Sequence, residues 1–344
     1  MAHKYDLAVF IGRFQPAHLG HMQVIKLALE SAKNVLVLIG SAGEARSHRN
    51  PFYFDERVNM IQNHFEGVAS RLIFAPLEDS AYNDMQWVKN VQDLVSGTLD
   101  ALQVDESKAK VALIGHSKDN SSYYLNMFPA YSSIEAPNYE GLNSTDIRTR
   151  FFSDNANWYF PDQLPESTMH FLRHFVNTTY FAKILEEYQF VEKYKASWAA
   201  APYAPTFVTV DAIVVQSGHI ALVRRRAAPG KGLWALPGGF LNPRERIKDA
   251  VIRELREETG IKVPDPVLRG SIVAQDVFDD PNRSSRGRTI THAFLIKLKD
   301  EPTLPKIKGM DDADKARWVP INHVKRDMMF EDHYAIIHNM IARI

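Results

Sequence analysis

Near its middle the chain runs through Ala199, Ala200, Ala201, Pro202, Tyr203, Ala204 and Pro205. This stretch has no hydrophobic period, and its two prolines would break a helix interior or a central strand. A break there divides a chain of 344 residues, about twice the length of an ordinary domain of ~150 residues. The division predicted is a first domain at residues 1–195, a semi-extended linker at 196–206 and a second domain at 207–344.

The two halves are patterned differently. Short apolar runs, Leu7 to Ile11, Val35 to Ile39, Leu72 to Phe74 and Val111 to Ile114, alternate in the first half with longer amphipathic stretches. That alternation predicts an α/β domain, a Rossmann-like, doubly wound parallel sheet, with ligands at the carboxyl ends of its strands. The loops after Ile11, Ile39 and Ile114 are therefore where site residues are expected, and helices from about Pro165 to Trp198 close the domain. The second half reads as strands at Phe207 to Val215 and Ile220 to Arg224, a glycine loop and a helix over about Arg244 to Glu258. Strands near Ile272 to Val277, Thr289 to Leu298 and Ala316 to Val319, then a helix from about Glu331, complete an α+β domain.

Several classes fall away. Lys plus Arg and Asp plus Glu are both 41, so the summed field attracts neither nucleic acid nor an anionic membrane, and any bound phosphate must be held locally. With no cysteine there are no disulfides, thiolate nucleophiles or cysteine-ligated zinc. No apolar run near the start approaches a signal segment or a span of ~20 residues, which predicts a cytoplasmic protein. A homo-oligomer stays open.

The helix over Arg244 to Glu258 is internally inconsistent. Ile247 and Val251 mark a buried stripe, and steps of three and four residues from Val251 lead to Glu254 and Glu258. With Glu257 alongside, three acids crowd one end and repel unless a cation joins them. Arg253 and Arg256 would make this a salt-bridged solvated helix. Against that, Gly238 and Gly239 precede the helix and let a backbone carbonyl approach an ion, and hard oxygen ligands select Mg²⁺ or Mn²⁺. Gly239, Glu245, Arg253, Glu254, Leu255, Glu257, Glu258, Gly260 and Ile261 resemble the Nudix hydrolase box. The resemblance implies metal binding by Glu254, Glu257, Glu258 and Gly239, bracing by Glu245 and Arg253, and hydrolysis of a nucleoside diphosphate linked to another group. The run Asp279 to Arg288 is similar to a Nudix subgroup of ADP-ribose hydrolases and ADP-ribose-sensing regulators, with Arg283, Arg286 and Arg288 expected on the diphosphate. Asp311, Asp312 and Asp314 are candidates for a base, or simply a solvated turn.

In the first half, Gly12, Arg13 and Phe14 follow the first strand and lead to His18 and His21, with Gly20 between them, at a helix start. Two histidines there share a face, and the positive end of the helix dipole meets whatever anion they bind. The pattern resembles the nucleotidyltransferase superfamily that includes class I aminoacyl-tRNA synthetases and the adenylyltransferases making NAD, coenzyme A and activated sulfate. Asn143, Ser144, Thr145 and Arg148 look like its Ser-Thr-x-x-Arg element. Gly40 to Ala42, Asn50 to Phe52, Asn83 with Trp87, and Gly115, His116, Ser117, Lys118 and Asp119 resemble the archaeal-type nicotinamide mononucleotide adenylyltransferases. That likeness implies ATP and nicotinamide mononucleotide as substrates, with Trp87 stacked on the nicotinamide ring. Joined end to end, the halves are similar to a bifunctional adenylyltransferase and ADP-ribose pyrophosphatase. Two alternatives stay open: a second half that senses ADP-ribose without cutting it, or two enzymes with other substrates, another mononucleotide at the first site and NADH or dinucleoside polyphosphates at the second.

Overall fold

The structure, a computed structural model, describes residues 3–115, 127–139, 141–154, 159–311 and 313–344. Its internal contacts divide the chain into two compact units, Met1–Leu185 and Glu186–Ile344.

The first unit is built on five parallel strands, β1 (Tyr5–Gly12), β2 (Ala32–Ile39), β3 (Leu72–Pro76), β4 (Val111–Gly115) and β5 (Ser132–Glu135), in the order β3-β2-β1-β4-β5. The central strand β1 is covered on both faces, as its unbroken apolar run requires. Helices α1 (Leu19–Ser31), α2 (Phe54–Gln62), α3 (Asp84–Ala101), α4 (Ser144–Ser153), α5 (Glu166–Phe175) and α6 (Thr179–Ala196) connect and flank the sheet. Helix α3 buries Val88, Val91, Val95 and Leu99, one face at three- and four-residue steps, against Leu7, Val9, Leu36 and Leu38. Each such side chain stabilises the fold by about 1.5–3 kcal/mol. Helix α6 continues past Leu185 into the second unit, and residues 199–204 after it are exposed.

In the second unit a mixed sheet runs β10 (Ile272–Phe278), β11 (Thr289–Lys297), β6 (Phe207–Gln216), β7 (His219–Arg225), β12 (Ala313–Pro320), with β6 and β11 parallel. Short strands β8 (Trp234–Ala235) and β9 (Gly238–Phe240) pair with β7 and β6. Helix α7 (Ile247–Thr259) packs Val251 and Leu255 on Val210, Ala212 and Val214, and Gly260 ends it in the left-handed region at φ 59°. Helices α8 (Asp265–Gly270) and α9 (His333–Ile341) complete the unit. Among the described residues no helix is long and apolar enough to cross a membrane.

Candidate active sites

Strands β1 and β2 end in register, Gly12 opposite Ile39, so the loops leaving them meet. The Gly40 amide donates to the Gly12 carbonyl at 2.8 Å. A Cβ on Gly12 would lie 2.8 Å from the Phe14 ring, which turns inward at φ 52°, is buried, and packs against Phe10 and His21. Phe14 is thus the floor of the loop. His18 caps α1 and stacks on His21 with ring centroids 3.7 Å apart. The His18 backbone N–H donates to His21 Nδ1 at 3.2 Å, which leaves the hydrogen of that ring on Nε2. Burial and the neighbouring His18 hold His21 well below the ordinary imidazole value, so it offers a neutral N–H donor at a helix N-terminus.

Helix α4 brings the second motif to this loop. Asn143 caps it by accepting from the Asp146 N–H at 2.9 Å. Ser144 Oγ donates to the Pro16 carbonyl at 3.0 Å, and Arg148 donates to the Gln15 carbonyl at 2.6 Å and to Thr145 Oγ1 at 3.3 Å. From α5, Thr168 Oγ1 donates to the Ala17 carbonyl at 3.0 Å. Arg148 is lowered to about 10 by burial and then by repulsion from Arg13 and Arg49. A buried Arg148 with Arg13 and Arg49 close enough to repel it, at the carboxyl ends of parallel strands, has the electrostatics of a polyphosphate site. Sequence reasoning did not single out Arg49, although its neighbours Asn50 to Phe52 were noted; a basic residue in a strand-end loop was the available signal.

The other expected residues are more dispersed. Trp87, in the first turn of α3, is half-buried against the core and tilted on Phe128 at 6.1 Å. Asn83 caps the same helix, accepting from the Gln86 N–H at 3.0 Å. Gly115 ends β4, where its carbonyl accepts from Ala136. His116, Lys118 and Asp119 lie outside the described residues.

In the second unit α7 starts at Ile247 and not at Arg244, which leaves Glu245 in the preceding loop. Arg253 is the hub there, its Nε on Glu245 at 2.7 Å and its Nη1 on Glu254 at 2.8 Å and Glu257 at 2.7 Å. The crowding of acids is therefore relieved in part from within the chain. Glu258 accepts from the Gly238 N–H at 3.0 Å. Burial, aided by the charge of Glu254 and opposed by that hydrogen bond, pushes Glu258 up to about 8. Burial also raises Glu254, against the pull of Arg253. On β6, Asp211 is buried, accepts from Thr291 Oγ1 at 2.5 Å and is raised by burial. It went unnoticed in the sequence, where an acid inside the run Val210 to Val215 was the signal.

A Cβ on Gly239 would lie 2.7 Å from the Glu254 carboxylate, so only glycine lets this peptide close on the acids. Among the described residues no three acids or histidines form a ready cage for an ion. The donor chemistry nevertheless suits a hard divalent cation, with the Glu254 and Glu258 carboxylates raised by burial beside a glycine peptide.

The three arginines expected on a diphosphate separate. Arg283 is buried and bidentate on Asp332, both bonds 2.9 Å. Arg288 pairs with Asp279. Arg286 lies over the Phe240 ring at 5.1 Å and acts electrostatically on Asp211. His333, held to about 3 by burial, accepts from the Leu236 N–H at 2.9 Å and supports the loop entering Gly238. Asp314 pairs with Arg224, Asp311 sits on an exposed turn, and Asp312 lies outside the described residues. Changing Arg283 to Met is expected to lower the stability of the second unit by about 3–5 kcal/mol, because the mostly enclosed carboxylate of Asp332 loses its bidentate guanidinium. Urea melts check this; an arginine serving only as a ligand contact would leave the midpoint unmoved.

Residues 9–150 match the cytidylyltransferase-like family and residues 205–340 the NUDIX domain family. The chain is 35% identical over 189 residues, 54% of its length, to the nicotinamide/nicotinic acid mononucleotide adenylyltransferase of Acinetobacter baylyi, covering 95% of that protein. Over 135 residues, 39% of its length, it is 33% identical to the ADP-ribose pyrophosphatase of Methanocaldococcus jannaschii, covering 73% of it. A crystal structure of a bifunctional NMN adenylyltransferase/ADP ribose pyrophosphatase from Francisella tularensis, complexed with AMP and Mn ion, is similar at a TM-score of 0.89 and 37% identity. That match covers 98% of this chain and 99% of the other. With one relative for each half and one solved structure spanning both, the chain belongs to the bifunctional NMN adenylyltransferase/ADP-ribose pyrophosphatase family.

Proposed function

We propose that the first unit transfers AMP from ATP to nicotinamide mononucleotide, giving NAD and pyrophosphate, and that the second hydrolyses ADP-ribose to AMP and ribose 5-phosphate. The end-to-end likeness to one bifunctional structure carries this reading.

At the first site a 5′-phosphate oxygen of the mononucleotide attacks the α-phosphorus of ATP in line, the bond to the bridging oxygen breaks, and pyrophosphate leaves. No covalent enzyme intermediate is needed, so positioning and charge neutralisation do most of the work. His18, His21, Arg13 and Arg148, joined by Arg49, hold the triphosphate, which brings its own Mg²⁺. Asn143, Ser144 and Thr145 shape the wall, Gly12 and Gly115 admit the substrates closely, and Asn83, His116, Lys118 and Asp119 are assigned to the mononucleotide side. Trp87 stacks on the nicotinamide ring in this assignment. Trp87→Ala is then expected to raise the KM for nicotinamide mononucleotide about fivefold, the loss of a stacking contact of about 1 kcal/mol, with the KM for ATP unmoved. A lower melting temperature with both constants unchanged would make Trp87 a core residue only.

At the second site a divalent ion, Mg²⁺ in our assignment with Mn²⁺ as the alternative, would supply neutralisation of diphosphate charge and acidification of water. Glu254, Glu257, Glu258 and the Gly239 carbonyl would hold it. Arg253 aligns Glu254 and Glu257 from one guanidinium, and Glu245 braces that arginine. Arg286 and Arg288 face the diphosphate in this assignment, and Arg283 fixes their loop through Asp332. The exposed residues 199–204 support a linker at 196–206. The deciding experiment is chromatography of products from ATP plus nicotinamide mononucleotide, and separately from ADP-ribose, each with Mg²⁺. NAD and pyrophosphate in the first mixture and AMP in the second are expected. ADP-ribose bound but recovered intact would make the second unit a sensor.

A further inference from the structure

Helix α2 carries a buried guanidinium that neither reaction as described uses. Arg57 is 1% exposed. Its Nη1 donates to the carbonyls of Arg13 at 2.8 Å and Gly40 at 2.6 Å, its Nη2 to Ser41 at 3.4 Å and its Nε to Tyr53 at 3.3 Å. Asp79 grips the same turn from its other side, accepting from the Ser41 N–H at 3.2 Å and from Ser41 Oγ at 2.6 Å. Ser41 sits at φ 49°, a conformation that persists in a non-glycine residue only when its surroundings enforce it. The start of α2 is tied to the same loop, because the Gln15 amide pairs with both backbone groups of Phe52, at 2.9 and 3.0 Å.

A cation buried mainly on main-chain carbonyls is an expensive way to fill space, which an aliphatic side chain would do without desolvation. The arrangement becomes intelligible from what those carbonyls belong to. Arg13, Gly40 and Ser41 stand where β1 and β2 end, and the Arg13 side chain leaves the clamped peptide into the solvent-facing site, close enough to repel Arg148. Arg148 clamps Gln15, two residues on. Two guanidinium groups thus fix alternate peptides of one loop, Arg57 from within the protein and Arg148 from the site wall.

We propose that Arg57 is a positioning residue for adenylyl transfer, which fixes the Arg13 and Gly40–Ser41 peptides from inside and so sets where Arg13 meets the triphosphate. This rests on the first unit being the transferase. A lysine cannot replace it, since one ammonium does not span the carbonyls that the planar fork reaches together.

The test uses full-length wild type, Arg57→Ala and Arg57→Lys, each assayed for NAD formation against ATP concentration, for ADP-ribose hydrolysis, and for thermal melting. For Arg57→Ala the expected result is a fall of about 100-fold in kcat/KM for ATP, the scale of an ångström-sized misplacement, with a raised KM. Hydrolysis should stay at the wild-type rate. Added guanidinium chloride, but not equal potassium chloride, should restore part of the transfer rate in Arg57→Ala, and Arg57→Lys should be intermediate. A residue that merely supports the fold would lower the amount of active enzyme and leave the KM for ATP at its wild-type value. That outcome in a folded Arg57→Ala, or no response to guanidinium, overturns the proposal; should Arg57→Ala not fold, an unchanged KM in Arg57→Lys overturns it and a raised one supports it. A wild-type protein that forms no NAD instead overturns the functional reading beneath it.

Discussion

Glu258→Gln is expected to lower ADP-ribose hydrolysis by at least about 10²-fold while NAD formation continues at the wild-type rate. Once an ion holds Glu258 ionised, the substitution removes one negative charge at nearly constant shape, and the new amide oxygen can still accept from the Gly238 N–H that Glu258 holds at 3.0 Å. Packing should therefore survive, and a loss of rate reports the missing charge. Burial beside Glu254 gives Glu258 its unusually high proton affinity, the same electrostatic demand that a divalent ion would satisfy. Both reactions are measured on one preparation, with circular dichroism confirming the fold. Wild-type hydrolysis by the variant would remove Glu258 from the ion site, and loss of both activities in a folded protein would refute two independent centres.

The complementary change is Arg148→Met, for which NAD formation should fall about 10²–10³-fold in kcat, the scale for removing one donor aimed at developing charge. Arg148 lies close enough to Arg13 and Arg49 to be repelled by them, and in the proposed mechanism its contact would strengthen as charge gathers on the leaving pyrophosphate, so the loss is expected in turnover more than in ATP binding. ADP-ribose hydrolysis should be unaffected. A variant with unchanged kcat and a raised KM for ATP would show that Arg148 binds ground state and transition state equally.

What the sequence disclosed, it disclosed through patterns that are local. Strands β1 to β4 are legible because buried parallel strands are apolar on both faces. Strand β5 escapes because Ser132, Ser133 and Glu135 give an edge strand no apolar signature, and β8 and β9 escape because they are two and three residues long. The helix start was misjudged because Arg244, Glu245 and Arg246 all tolerate helix, whereas Glu245 is drawn into the loop by Arg253. At the sites, glutamates at helical spacing and histidines at a helix start advertise themselves. Asp211, Arg283 and Arg57 do not, since each acquires its meaning from partners such as Thr291, Asp332 and Arg13 that lie 44 to 80 positions away. A conspicuous arginine in a polar loop reads as a ligand contact, and only the fold reveals that Arg283 faces Asp332.

The stitching of Ser144 to Pro16 and of Thr168 to Ala17 spans 128 and 151 residues of chain. The histidine loop leaves a ribosome well before the residues that clamp it are made, by 128 positions for Ser144 and 151 for Thr168. At synthesis rates of ~5–20 residues per second, the interval between Ala17 and Thr168 is roughly 8–30 s. Throughout that time the nascent chain holds its histidines without the walls that orient them. Closing so large a loop also belongs to the slow, non-local class of folding steps. The transferase is therefore born inactive, and truncation before Thr168 should leave a fragment that makes no NAD, however complete its histidine motif.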